Sequence, residues 1–104
     1  DTLRAEVPRA VQLDEHFRPR PRAPLPPSPA RVAEAVELLW HARRPLVISG
    51  RGAKGAGPVL SRFLERLGAV YLDTGESKGL VPEEHPSVVA AMRGSVMGAA
   101  DVVL

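Results

Sequence analysis

From Pro29 to Leu104 the apolar positions switch repeatedly between two periods. Val32, Val36, Leu39 and Trp40 fall at i, i+4, i+7 and i+8, which is one face of a helix. Arg31, Glu34, Glu37 and Arg44 fall mainly elsewhere. Ser28 is placed to N-cap this helix, with Pro29 in its first turn, and the helix must stop before Pro45. "PLVIS", 45–49, is a short apolar run rich in branched residues and reads as a buried strand. In "PVLSRFLERLG" the helical period returns through Val59, Leu60, Phe63, Leu64 and Leu67, and Gly68 marks the stop. "AVYLD", 69–73, reads as a second strand, "PSVVAAM" as a third helix starting near Pro86, and "ADVVL", 100–104, as a third strand.

Helix and strand alternate three times. That rhythm predicts an α/β fold, a Rossmann-like parallel sheet with helices on both faces and right-handed crossovers. Three strands are half of a six-stranded doubly wound domain, so the other half is expected to follow Leu104.

The residues before Pro29 follow other rules. In "DTLRAEVPRAVQL", 1–13, Leu3, Ala5 and Val7 alternate with Arg4 and Glu6, a strand ending at Pro8 with no hairpin partner nearby. It reads as the end of a preceding domain. Residues 14–29 read as a linker. Six prolines stand in "PRPRAPLPPSP", 19–29. Proline fixes φ and lacks an N–H, which excludes helix and central strand and leaves an extended spacer of roughly 34 Å at about 3.1 Å per residue. Residues 30–104 are expected to form the central nucleotide-binding-like domain, truncated at its C-terminus.

Composition narrows the chemistry. The chain has 104 residues and no cysteine, so disulfides and thiolate metal sites are unavailable, which suits a reducing, cytoplasmic setting. His16, His41 and His85 are far apart and lack ligand spacing. No apolar run approaches the ~20 residues of a membrane span. The net charge is +2, with "RPRPR", Arg18 to Arg22, as the densest basic stretch. Without aromatic stacking residues beside it, that stretch reads as a solvated linker rather than a nucleic-acid arm.

Two loops carry the candidate chemistry. "SGRGAKGAG", 49–57, contains Gly50-x-Gly52-x-x-Gly55 between a strand and a helix. In that context a glycine permits a turn at positive φ, another lets a phosphate approach the backbone, and the helix start offers free N–H groups. Asp73 ends the next strand 18 residues after Gly55, where nicotinamide-binding domains place the acid that holds the ribose. The plain alternative is a βα turn with Lys54 solvated. The second loop, "DTGESKGLVPEEHP", 73–86, follows the second strand at its C-terminal end, the edge where ligands lie in open parallel sheets. Its plain reading has Thr74 or Ser77 capping a turn, Gly79 ending it, and His85 on the surface. Glu83 and Glu84 are adjacent and point apart, a poor acid/base pair.

Together these stretches resemble the central domain of thiamine diphosphate-dependent enzymes of the acetolactate synthase and oxalyl-CoA decarboxylase type. "AEVPRAVQ" resembles the strand that closes the preceding pyrimidine-binding domain, and the proline-rich connector follows it. "ARRPLVISGRGAKGAG" resembles the A-x-RP-hydrophobic-G-x-G block, "TGESKGLVPEEHP" the T-x-x-x-KG-x-x-P-x-x-HP block, and "RGSVMGAADVVL" the segment ending in A-D-x-hydrophobic.

The resemblance implies a six-stranded domain set between two others, in a homo-oligomer that engages neither nucleic acid nor membrane. The parent would be a 2-keto acid decarboxylase or carboligase, a lyase or transferase. Its thiamine diphosphate and Mg²⁺ would sit outside this segment, because the activating glutamate and the GDG-to-Asn motif belong to the flanking domains. The segment alone is therefore expected to be inactive. The central domain itself would bind FAD or ADP, or nothing. By motif, Gly50, Arg51 and Gly52 match the loop that approaches the ADP portion, and Thr74, Lys78 and Gly79 match the second contact loop. Arg93 stands where synthases carry the histidine of a Met-His-Gly-like turn near the flavin. An arginine suits phosphate better, so the expectation moves from FAD toward an ADP-containing ligand. The rival readings are the NAD-binding Rossmann half of a dehydrogenase and a non-enzymatic nucleotide-binding domain.

Overall fold

Central to the sheet is its first strand. The computed structural model describes residues 23–104; the strand expected in 1–13 and most of the linker lie outside them. Helix α1 spans Pro29–Trp40, strand β1 Pro45–Ser49, helix α2 Gly57–Leu67, strand β2 Val70–Asp73, helix α3 Arg93–Ala99 and strand β3 Val102–Val103. All strand pairings in the sheet are parallel, in the order β2-β1-β3. Leu46, Val47, Ile48 and Ser49 stand opposite Val70, Tyr71, Leu72 and Asp73. The α/β, Rossmann-like expectation is met.

The main core forms on one face of the sheet. Val47 and Tyr71, opposite each other in register, pack with Leu64, Ala69 and Val81, and Leu60, Phe63 and Leu67 of α2 close over them. Four of the five apolar positions read from the helical period of α2 thus face the sheet, and Val59 is exposed. Gly68 ends α2 in the left-handed conformation its position implied, at φ 63. Alternation along the strands turns Leu46 and Leu72 to the other face, where both are buried. On α1 only Leu39 of the four stripe residues is buried; Val32, Val36 and Trp40 remain exposed. Ser28 occupies the N-cap position of α1, but its side chain makes no cap hydrogen bond.

The third helix departs from expectation. "PSVVAAM" is not helical. Residues 87–89 run beside β2 instead, with a parallel bridge between Tyr71 and Val88. The Tyr71 N–H donates to Ser87 O at 2.7 Å, and Val89 N–H donates to Tyr71 O at 3.2 Å. The free edge of β2 offered unpaired backbone groups, and two consecutive valines suit an extended chain better than a helix. The helix begins only at Arg93, after Met92 takes a left-handed φ of 57.

Two tertiary locks hold the elements together. Asp101 accepts the backbone N–H of Arg43 at 2.7 Å and of Arg44 at 2.8 Å, tying the approach to β1 to the start of β3. Desolvation raises the Asp101 pKa, but backbone N–H donors from Arg43, Arg44, Asp101 and Val102 together outweigh it and leave the carboxyl below its usual range. At the other end of β1, Gly57 opens α2 against the β2 loop. A Cβ built there would lie 2.5 Å from Leu80 O.

Gly57→Ala should therefore destabilise the protein by about 1–3 kcal/mol through overpacking against backbone, despite alanine's better helix propensity. Gly52→Ala, with nothing within 4 Å of its Cβ position, should stay within about 0.5 kcal/mol; thermal unfolding of the two compares them. A depressed folded pKa stabilises above the unfolded value, so the Asp101 contribution is complete above about 3.8 and fades as pH falls through the lower folded value. Acid titration of stability should show this loss in the wild type and a shallower one in Asp101→Asn.

Candidate functional site

The C-terminal ends of β1 and β2 open onto the same side of the sheet, and both candidate loops meet there. After β1 the chain makes a 3₁₀ turn, Arg51–Ala53, closed by Ala53 N–H to Gly50 O at 3.1 Å. Gly55 supplies the positive φ of this loop, at 86; Gly50 is extended. A Cβ at Gly52 would meet nothing, so that part of the loop is open to approach. The first turn of α2 behaves differently, because Gly57 sets it against Leu80 O. Gly57 lies outside the G-x-G-x-x-G spacing and was not singled out in the sequence; its neighbour across the loop is 23 residues away, with no local signal.

Ser49 anchors the second loop. Its carbonyl accepts the N–H of Thr74 at 3.1 Å and the hydroxyl of Ser77 at 2.7 Å. The Ser77 hydroxyl in turn accepts the Thr74 N–H at 3.0 Å. Below them the Ser49 hydroxyl pairs with the Tyr71 hydroxyl at 2.5 Å inside the core. Ser77 is buried, so its role is to shape the loop. Gly79 turns the loop at a φ of 79.

Beside the second loop, enclosed by that loop, residues 88–90 and Arg93, lies a chamber of about 520 Å³, within the ~300–1,000 Å³ of small-molecule sites. Tyr71, Val81, Val88, Val89 and Ala90 give it an apolar wall, while Asp73, Thr74, Lys78, Glu83 and Arg93 give it polar and charged edges. The stretch expected to be helical thus supplies a wall. Arg93, at the start of α3, reaches back over the end of β2: Nη1 stands 3.3 Å from Asp73 Oδ1, and Nη2 donates to Asp73 O. Next to the chamber is an open groove lined by Arg51, Lys54, Glu76, Ser77, Lys78, Gly79 and Leu80. Lys78 and Gly79 border both spaces. Arg51 bridges the two loops through a two-pronged contact with Glu76, 3.1 Å from Nε and 2.9 Å from Nη2. That contact raises the Arg51 pKa, against a smaller lowering by desolvation.

Of the seven sequence-predicted site residues, Thr74, Lys78, Gly79 and Arg93 line the chamber, and Arg51 lines the groove. Gly50 and Gly52 belong to the adjoining loop without lining either space; Gly50 lies beside Thr74, whose Oγ1 is 3.8 Å from its Cβ position. Asp73 is engaged by Arg93. His85 corrects the surface reading. Its side chain is 7% exposed, and Nδ1 accepts the Ser87 N–H at 3.2 Å, which fixes the strand-like wall. Nε2 is buried without a hydrogen-bond partner among the described residues, 3.5 Å from Glu65 Oε1. Among the described residues no group of three His, Cys, Asp or Glu side chains could hold a metal ion, and no helix is long and apolar enough to cross a membrane.

Comparison with known proteins points the same way as the motifs. The family profile described as "Thiamine pyrophosphate enzyme, central domain" matches residues 32–104. Oxalyl-CoA decarboxylase of Escherichia coli (strain K12) is 37% identical over 86 residues, covering 81% of this chain and 15% of that protein. 2-Hydroxyacyl-CoA lyase 1 of Dictyostelium discoideum is 41% identical over 75 residues, 70% of this chain and 13% of that protein. 2-Hydroxyacyl-CoA lyase of Arabidopsis thaliana is 34% identical over 110 residues, covering 100% of this chain and 19% of that protein. The chain spans less than a fifth of the length of these relatives. With Gly50-x-Gly52 on the β1 loop, and Lys78-Gly79 of the β2 loop lining one chamber with Arg93, the chain belongs to the thiamine pyrophosphate enzyme central-domain family.

Proposed function

We propose that this chain is the nucleotide-holding central domain of a thiamine diphosphate-dependent lyase whose substrate is an acyl-CoA. The observation that carries the nucleotide reading is the junction at Lys78-Gly79. There a chamber with one apolar wall, of a size to take a purine, meets a groove lined by Arg51 and Lys54. A purine against Val81, Val88 and Val89 and a diphosphate toward Arg51 and Lys78 satisfy both halves, and cationic side chains suit phosphate in either place. The acyl-CoA class is supported by the relatives, which are named as a decarboxylase of oxalyl-CoA and lyases of 2-hydroxyacyl-CoA.

Thiamine diphosphate acts as an electron sink in such chemistry. None of the residues described here is assigned to it or to its Mg²⁺, and the chain alone is expected not to turn over. Its own residues bind and orient the nucleotide and pack against the neighbouring domains of a homo-oligomer. ADP is favoured over FAD because an arginine, Arg93, stands in place of the histidine expected near a flavin. A nicotinamide site is disfavoured for a reason of geometry: the acid that would hold the ribose, Asp73, is already engaged by Arg93.

Titration of the full-length protein with ADP, FAD and NAD should give binding of ADP above the other two. Gly52→Val should lower that affinity at least about tenfold, or 1.4 kcal/mol, because it adds bulk to the open loop next to Arg51, toward which the diphosphate is placed. Thermal unfolding should change less, since nothing lies within 4 Å of the added Cβ. NAD binding without a response to ADP or FAD would favour a dehydrogenase instead, and affinity unaffected by Gly52→Val would leave the loop as a turn alone.

A further inference from the structure

Both arginines at the site are held by carboxylates of the same loop. Arg93 is bound by Asp73 through a side-chain and a main-chain oxygen, with the two side chains 44% and 33% exposed. Among the described residues Arg51 is bound by Glu76 alone, and those side chains are 80% and 59% exposed. The two pairs therefore differ in how readily they open. Arg93 is fixed by two contacts in a partly dry setting. Arg51 rests in an ion pair of the exposed kind, whose stabilisation is small.

The geometry at Arg51 is that of an anion site already filled from within the chain. Nε and Nη2 each take one carboxylate oxygen, the fork arrangement that guanidinium also makes with two phosphate oxygens. Lys54 and Lys78 line the same groove, so the Glu76 carboxylate is the one acid among three cations there. A diphosphate carries more charge than one carboxylate and can engage all three cations.

We infer that Glu76 is a built-in counter-ion, which a phosphate ligand displaces from Arg51, and that this exchange sets the affinity of the site. This deepens the nucleotide reading and rests on it for the identity of the ligand. Glu76 keeps Arg51 extended toward the groove and holds the β1 and β2 loops together. The ligand's phosphate then takes over both contacts, and the released carboxylate turns to solvent, where its exposure already places it. Because the carboxylate competes with every anion, weakly charged ones fail to displace it, and the site selects for multiply charged phosphate.

The test is a double-mutant cycle on the full-length protein, using calorimetric titration with ADP and, separately, with inorganic pyrophosphate. Glu76→Gln should tighten binding of both by about two- to fivefold, the range an exposed ion pair accounts for. Arg51→Gln should weaken it, and Glu76→Gln added to Arg51→Gln should change nothing further. Thermal unfolding of each variant checks that the loops remain folded. Weaker binding in Glu76→Gln would make the pair a loop staple and overturn the exchange. A gain that persists without Arg51 would reduce Glu76 to general repulsion and overturn it as well. ADP binding that ignores Glu76 would refute the exchange and leave the nucleotide reading intact. Pyrophosphate binding that follows the cycle without any binding of ADP would do the reverse. Binding of neither would sink both.

Discussion

One main-chain oxygen organises this end of the molecule. The Ser49 carbonyl, last in the central strand, receives both the Thr74 N–H and the Ser77 hydroxyl. A β-strand that ends at the sheet edge leaves its final carbonyl to find partners or remain solvated. Here the partners come from the loop of the neighbouring strand, so the loop is positioned by the sheet itself. The Ser49 hydroxyl, paired with Tyr71 in the core, fixes the same residue from below. Each of these groups is costly to leave unsatisfied when buried. The shape of the chamber follows: Thr74 and Lys78 stand where the Ser49 node puts them, and Tyr71 floors the space they enclose.

Much of this arrangement could be read from the order of residues. The periods of α1, β1 and α2 are strong, and their ends carry proline and glycine signals that act locally. Gly68 did what its position demanded because the left-handed region is cheap only for glycine. The motif residues Thr74, Lys78, Gly79 and Arg93 converge on one chamber because the C-terminal ends of parallel strands share one side of the sheet.

What the sequence hid depends on distant partners. "PSVVAAM" has a helix-compatible start, yet its valines were claimed by the free edge of β2, a choice that only the assembled sheet offers. Gly57 looks like any glycine near a helix start, and its need is imposed by Leu80 O. His85 lies in a polar loop and still has a buried ring, since one of its neighbours is Glu65 of α2, twenty residues earlier. The stripe on α1 shows the opposite case: its period was correct, but Val32, Val36 and Trp40 are exposed. Periodicity reports which face can be buried, and partners decide whether it is.

The Asp101 lock also bears on the order in which the chain can be assembled. β1 is made first and pairs with β2 over a short stretch of sequence, so that half of the sheet is reachable early. The backbone groups of Arg43 and Arg44 must wait 58 and 57 residues for their carboxylate. Loop closure over that span is entropically costly and comes late when contacts are local first. During synthesis, β1 would therefore emerge with one side paired and the other bare until residues 101–104 follow. The strand at the middle of the finished sheet is, for that interval, an edge.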